Sequence, residues 1–124
     1  MKNEIILYSP NELTEHIEVR IDEEKETIWL TQKQMGILFD KDTDTIGLHL
    51  KNIYAEEELD ENATTELFSV VQKEGNRNVK RNIRYYNLDS ILSVGYCVKS
   101  KQQTQFRIWA KNALPFHSWI KARC

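Results

Sequence analysis

Two short apolar runs at helical spacing, parted by only a few polar residues, constrain this chain more than any other feature. Met35, Leu38 and Phe39 supply one face of a short helix, and Ile46, Leu50 and Ile53 recur at i, i+4 and i+7 in a second. Thr31 and Gln34 stand at the start of the first in capping-box spacing, where the hydroxyl accepts from the first turn and the Gln side chain reaches back. Asp40-Lys41-Asp42 is turn-like, and Asp42 or Thr43 can cap the second helix. Two amphipathic helices joined by about four residues have the shape of a helix-turn-helix.

Strand patterns flank this pair. Ile17-Glu18-Val19-Arg20-Ile21 alternates with period 2, Asp22 to Glu26 reads as a solvated turn, and Thr27-Ile28-Trp29-Leu30 returns to make an N-terminal hairpin. Downstream, Leu67 to Val71 reads as a strand, Glu74-Gly75-Asn76 as a turn and Arg77 to Tyr86 as the returning strand. Val79, Ile83 and Tyr85 share one face of it, and Lys80, Asn82 and Arg84 the other. A basic hairpin at this point occupies the place of the wing in a winged-helix arrangement.

Asn87 can cap a helix through Val98, with Leu88, Ile91, Leu92 and Gly95 as its inner stripe. Val94, Tyr96 and Cys97 make that helix apolar nearly all round, which predicts a central buried position. Ser100 and Gln103 form a second capping-box match, opening a helix to about Ala113. Phe106, Trp109, Ala110 and Ala113 face inward on it, Lys101, Arg107 and Lys111 face outward, and Pro115 ends it. The expected fold is α+β: a winged-helix-like helix-turn-helix with an N-terminal β-hairpin, a basic β-hairpin and two C-terminal helices. One domain is expected over 1–113, followed by an atypical C-terminal tail at 114–124.

A length of 124 residues suits one domain. The longest unbroken apolar run, Ile5-Ile6-Leu7-Tyr8, is too short for a transmembrane helix or a secretory core, so no membrane association is expected. Cys97 and Cys124 alone make no disulfide framework, which points to the reduced cytoplasm. The net charge of −2 conceals a split. Residues 1–66 hold six Lys/Arg against seventeen Asp/Glu, and residues 67–124 hold eleven against Glu74 and Asp89. Such halves either present a polyanion-facing C-terminal side or pair with each other inside the fold.

Little in the chain suggests catalysis, and the expectation is a protein that is no enzyme and takes no metal or cofactor. His16, His49 and His117 lack metal-ligand spacing, neither Cys lies in a C-x-x-C, and Gly36, Gly47, Gly75 and Gly95 are scattered rather than gathered in a phosphate loop. Nucleic acid is the better supported partner. With Ile46, Leu50 and Ile53 inward, the second helix turns out Asp44, Leu48, Lys51 and Asn52, with Thr45 at the margin. Thr45, Lys51 and Asn52 are therefore candidate DNA contacts. They are joined by Lys73, Arg77, Lys80, Arg81 and Arg84 of the basic hairpin and by Lys101, Arg107 and Lys111 of the last helix. Five phosphate contacts among the basic groups would give a slope of about −4.5 for log K against log salt. Asp44 repels phosphate and Leu48 offers no hydrogen bond, so weak or non-specific DNA binding is expected. The alternative is a protein-interaction or assembly domain, working as a homodimer or with another protein. A third reading is the targeting fragment of a longer nucleic-acid-acting or toxin-like protein.

Several strings point further. Ile28-Trp29-Leu30-Thr31-Gln32-Lys33-Gln34-Met35, His49-Leu50-Lys51-Asn52-Ile53-Tyr54 with Glu58-Leu59-Asp60-Glu61-Asn62, and above all Tyr85-Tyr86-Asn87-Leu88-Asp89-Ser90-Ile91-Leu92-Ser93-Val94-Gly95-Tyr96 stand out. With Ser100-Lys101 and Thr104-Gln105-Phe106-Arg107-Ile108-Trp109-Ala110, they resemble the virulence-associated RhuM family over about residues 5 to 113. The Phe106-Arg107-Ile108-Trp109 block also distantly resembles phage Bro-N and KilA-N type DNA-binding domains. The resemblance implies a bacterial protein, often carried on mobile or pathogenicity islands, with a DNA-binding role. The chain departs from the family where Asp40-Lys41 replaces a glycine-valine turn, and where Thr43, Asp44, Gly47 and Leu48 replace basic or hydroxyl residues. The family is generally longer, and Leu114 to Cys124 does not resemble its continuation, as a truncated or frame-shifted gene would leave it.

Overall fold

Strand alternation survives intact in the computed structural model, which describes residues 3–9, 16–115 and 117. β1 (Asn3–Tyr8), β2 (Ile17–Asp22) and β3 (Thr27–Trp29) form an antiparallel sheet in that order. Ile17, Val19 and Ile21 of β2 point into the core while Glu18 is exposed. The turn between β2 and β3 is pinned by Asp22, whose carboxylate accepts from the Lys25 amide at 3.1 Å and from the Trp29 indole at 3.4 Å. β1 is an addition to the expected hairpin. Its Ile5-Ile6-Leu7-Tyr8 run lacks the alternation that marks a half-buried strand, and Ile5 and Leu7 remain exposed on its outer face.

α1 (Gln32–Phe39) and α2 (Thr43–Ala55) follow. The capping box forms as expected: Gln34 N–H donates to the Thr31 hydroxyl at 3.1 Å and Thr31 N–H to Gln34 Oε1 at 2.8 Å. Asp42 caps α2, accepting from the Thr45 amide at 2.7 Å, and hydrogen bonding from the Thr45 side chain, with this amide bond second, lowers the Asp42 pKa below its ordinary value. The chain turns sharply at Asp40, which takes a left-handed conformation with φ 54°. Gly36 makes the turn tight, because a Cβ there would stand 2.8 Å from the Lys41 carbonyl oxygen. Met35, Leu38, Phe39, Ile46, Leu50 and Ile53 are all buried, as their spacing predicts.

A four-residue α3 (Glu61–Thr64), not expected from the acidic sequence before it, leads into the antiparallel pair β4 (Thr65–Glu74) and β5 (Arg77–Tyr86). Gly75 opens their two-residue turn with φ +63°, the left-handed region in which glycine is favoured. The pair joins the body through Leu30, which exchanges backbone hydrogen bonds of 2.8 and 3.0 Å with Tyr86. α4 (Leu88–Val98) is capped by Asn87 and buried from Leu88 to Gly95 apart from Asp89, whereas its last turn exposes Tyr96.

α5 (Lys101–Ala113) differs from expectation in two respects. Ser100 accepts from the Gln102 amide at 3.1 Å and its hydroxyl donates to Gln102 Oε1, so the cap bonds one residue earlier than a box with Gln103 requires. The buried stripe is Phe106, Ala110 and Leu114, leaving Ala113 exposed and Trp109 half-buried. Tyr8 of β1 explains the shift, since its ring packs on Phe106 and Trp109 at centroid distances of 5.6 and 4.9 Å. Leu114 thus belongs to the core, and His117 bonds the Glu26 carbonyl at 2.5 Å and Asp89 at 3.2 Å. Residues 116 and 118–124 of the expected tail lie outside the described residues. Among the described residues the fold is α+β, with five helices and two antiparallel sheets.

Candidate nucleic-acid interface

β4 and β5 form an arm whose two faces differ because opposed residues of an antiparallel pair share a face. Phe68 opposite Ile83, and Val70 opposite Arg81, lie on the inner face; Leu67 opposite Arg84, and Val71 opposite Lys80, lie on the outer one. At the base, Phe68 meets Trp29 and Tyr85 edge-on at 5.7 and 5.0 Å. Beyond the base both faces open, and between 71 and 82 only Val79 is as much as half-buried. Lys73, Arg77 and Lys80 project there, and none of them joins an ion pair among the described residues.

Arg81 and Arg84 stand differently. Arg81 lies on the arm's inner face and donates from Nε and Nη2 to the two oxygens of Glu74 at 3.0 and 2.7 Å, a bidentate pair that raises its pKa above the ordinary value. Arg84 reaches Glu61 at 3.3 Å. Both arginines are on the arm, but each brings a carboxylate with it. Among the described residues, Glu61–Arg84 is also the ion pair that links the acidic half to the basic half.

On α2, Leu48 is 58% exposed, and Asp44, Lys51 and Asn52 are exposed with Thr45 half-buried. The outward register read from Ile46, Leu50 and Ile53 is thus present. Asp42 and Asp44 occupy the end of α2 nearer the arm, where a cleft of about 660 Å³ brings Thr43 together with Val70, Val71 and Gln72. Arg20, which sequence reading did not single out, also lines this cleft, and the N-terminal turn of α1 supplies Lys33.

The cations of α5 are set apart from this group. Phe106 and Ala110 fix α5 against α1 and α4, with Lys101 and Lys111 exposed and Arg107 half-buried. A smaller concavity there, about 350 Å³, is lined by Tyr96, Lys99, Ser100 and Gln103. Behind the arm's base, the Tyr54 hydroxyl bonds Ser90 at 2.7 Å and Thr64 at 3.0 Å, tying α2, α3 and α4 together. Burial pushes the phenol pKa values of Tyr54 and Tyr86 up.

A family model described as "Virulence protein RhuM family" matches residues 63–120. Residues 63–120 belong to the RhuM family. The whole arm, α4 and α5 fall inside this RhuM segment, and so do the strings Tyr85–Tyr96 and Thr104–Ala110. The strings Ile28–Met35 and His49–Tyr54 fall outside it, and the match runs on past Ala113 to residue 120. No curated protein and no solved structure matches the chain. No helix among the described residues is long and apolar enough to cross a membrane, and no three His, Cys, Asp or Glu side chains among them are grouped to hold a metal ion.

Proposed function

We propose that this protein is a non-catalytic DNA-binding module of a bacterial cytoplasm, winged-helix-like in its use of the arm, and virulence-associated through its RhuM segment. The observation that carries this reading is the arm itself. It stands open on both faces and presents Lys73, Arg77 and Lys80 without acidic partners among the described residues, beside the start of α2. A projecting, basic, two-stranded element follows a phosphate backbone through charge and makes few demands on base sequence. α2 contributes Lys51, Asn52 and Thr45, but Asp42 and Asp44 repel phosphate at its N-terminal end. Affinity therefore rests on the arm, with weak discrimination between sequences.

Anisotropy titration of a random duplex at several salt concentrations tests the reading. Three unpaired arm cations predict a slope of at least about −2.7 in log K against log salt, growing steeper as α2 and α5 cations join. A slope near zero, or no binding at low salt, would overturn it. A second reading has its own observation. Leu67 and Val71, 57% and 65% exposed, line the arm's outer face between Arg84 and Lys80, a mixture that also suits an acidic, partly apolar protein partner. Assembly through that face predicts a complex lost on Val71→Asp.

A further inference from the structure

Among the described residues, Arg20 is the one cation with a buried side-chain donor left unpaired. It lies on the outer face of β2 opposite Trp29, with its guanidinium carbon 4.7 Å from the Phe68 ring centroid and 5.3 Å from that of Tyr85. Its Nε is buried with no hydrogen-bond partner, and Arg20 joins no ion pair among the described residues. Two aromatic rings thus hold a guanidinium at the edge of the 660 Å³ cleft while its buried Nε–H has no acceptor. Stacking offsets part of the cost of partly burying a charge, but it leaves the Nε–H wanting an acceptor.

The rest of the cleft matches an anion. Gln34 N–H is taken by the capping box, so the amides of Gln32 and Lys33 remain without helical partners at the positive end of α1. Lys33 and Arg84 line the same space, and Arg84 is already engaged by Glu61. Glu18 also lines it and subtracts one charge. Asp42 and Asp44, at the neighbouring start of α2, oppose an anion further, so the balance suits a singly charged group better than a dianion.

We infer that this cleft is a phosphate-binding site built on Arg20, and that it takes a phosphodiester of the nucleic-acid backbone lying between the arm and the start of α2. The inference deepens the DNA-binding reading and rests on it for the carrier of the phosphate. Arg20 becomes a binding residue held in place by Phe68 and Tyr85, and the arm's inner face becomes the wall that closes over the backbone.

The Arg20 Nε–Hε signal in a nitrogen-15 spectrum of the full chain, assigned by its loss in Arg20→Lys, reports directly on the orphaned donor. Titrations use a random duplex, inorganic phosphate, and sodium chloride at matched ionic strength. A downfield shift that saturates with the duplex, small or absent with phosphate, is expected; so is a loss of duplex affinity of about tenfold in Arg20→Lys, which keeps the charge but not the fork. A shift with phosphate alone, in a protein that does not bind duplex, keeps the anion site and overturns its backbone source together with the DNA reading. Duplex binding by anisotropy with the Arg20 signal unmoved keeps the DNA reading and overturns the site. Equal shifts with chloride, or none with any ligand, overturn it as well. The wild-type spectra decide these outcomes even if Arg20→Lys fails to fold.

Discussion

The body and the arm of this molecule spend the same kinds of residue in opposite ways. In the body, Phe39, Met35, Ile46, Leu88, Ile91 and Phe106 from four helices meet in one interior, and Gly95 lets α4 approach so closely that a Cβ there would stand 2.7 Å from the Phe39 ring. In the arm, Val71 and Leu67 lie in solvent, and two strands rely on anchors at their base. A two-stranded hairpin is marginal by itself, so the arm is ordered by the body and not the reverse. The consequence is a division of labour. Stability resides where the arm is not, and the surface available to a polyanion resides where packing is thin.

The largest expected effect tests that division. Phe106→Ala empties a site packed by Phe39 and Tyr8 and should cost about 3–5 kcal/mol in denaturant unfolding. Val71→Ala should stay within about 0.5 kcal/mol of the parent. Comparable losses from the two would mean that the arm shares the core's cooperativity.

A smaller effect sharpens the boundary between the regions. Tyr54→Phe removes the hydroxyl that holds Ser90 and Thr64, at a cost of about 1–3 kcal/mol for buried groups left unpaired. Because the folded-state phenol pKa values of Tyr54 and Tyr86 lie above the ordinary 10.0, their contribution is complete below that value and lost as pH rises through the raised ones. The unfolding midpoint should therefore fall at alkaline pH, and fall less steeply in Tyr54→Phe. An unchanged alkaline profile would remove the burial argument.

On the binding side, Lys73→Ala with Lys80→Ala should make the salt slope shallower by about 1.8. Glu74→Ala with Arg81→Ala removes a neutral pair and should leave the slope as it was. A steeper loss from the second pair than from the first would move the polyanion to the arm's inner face at Arg81.

Much of the body was legible in the sequence because burial imposes period. The alternation of Ile17, Val19 and Ile21, the Thr31–Gln34 box and the Ile46–Leu50–Ile53 stripe each need only local rules. β1 was not legible, since a strand with apolar residues on both faces shows no period. The α5 register slipped because Tyr8, about a hundred residues away, half-covers Trp109 and leaves the inner place to Leu114. Site residues were legible as cations but not as partners. Nothing near Arg81 or Arg84 announces that Glu74 and Glu61 will hold them, and Arg20 looks like any polar residue on an alternating strand until Phe68 and Tyr85 fold over it.

The smallest effect concerns α2, where the contrast with the arm is one of charge and chemistry. Asp44 and Leu48 face outward on the helix that would read bases, whereas the arm presents cations. An exposed carboxylate near a phosphate is screened, so Asp44→Ala should raise duplex affinity by less than about fivefold. Discrimination should change more than affinity. Leucine offers at most a methyl contact to thymine, while arginine in its place can bond guanine bidentately, worth about 1–3 kcal/mol between bases. Selection from a random-sequence pool should therefore enrich nothing with the native chain and begin to enrich a motif with Leu48→Arg and Asp44→Ser together. A sharp motif from the native chain would place sequence reading elsewhere, and the arm's inner face beside Arg20 would be the first region to search for it.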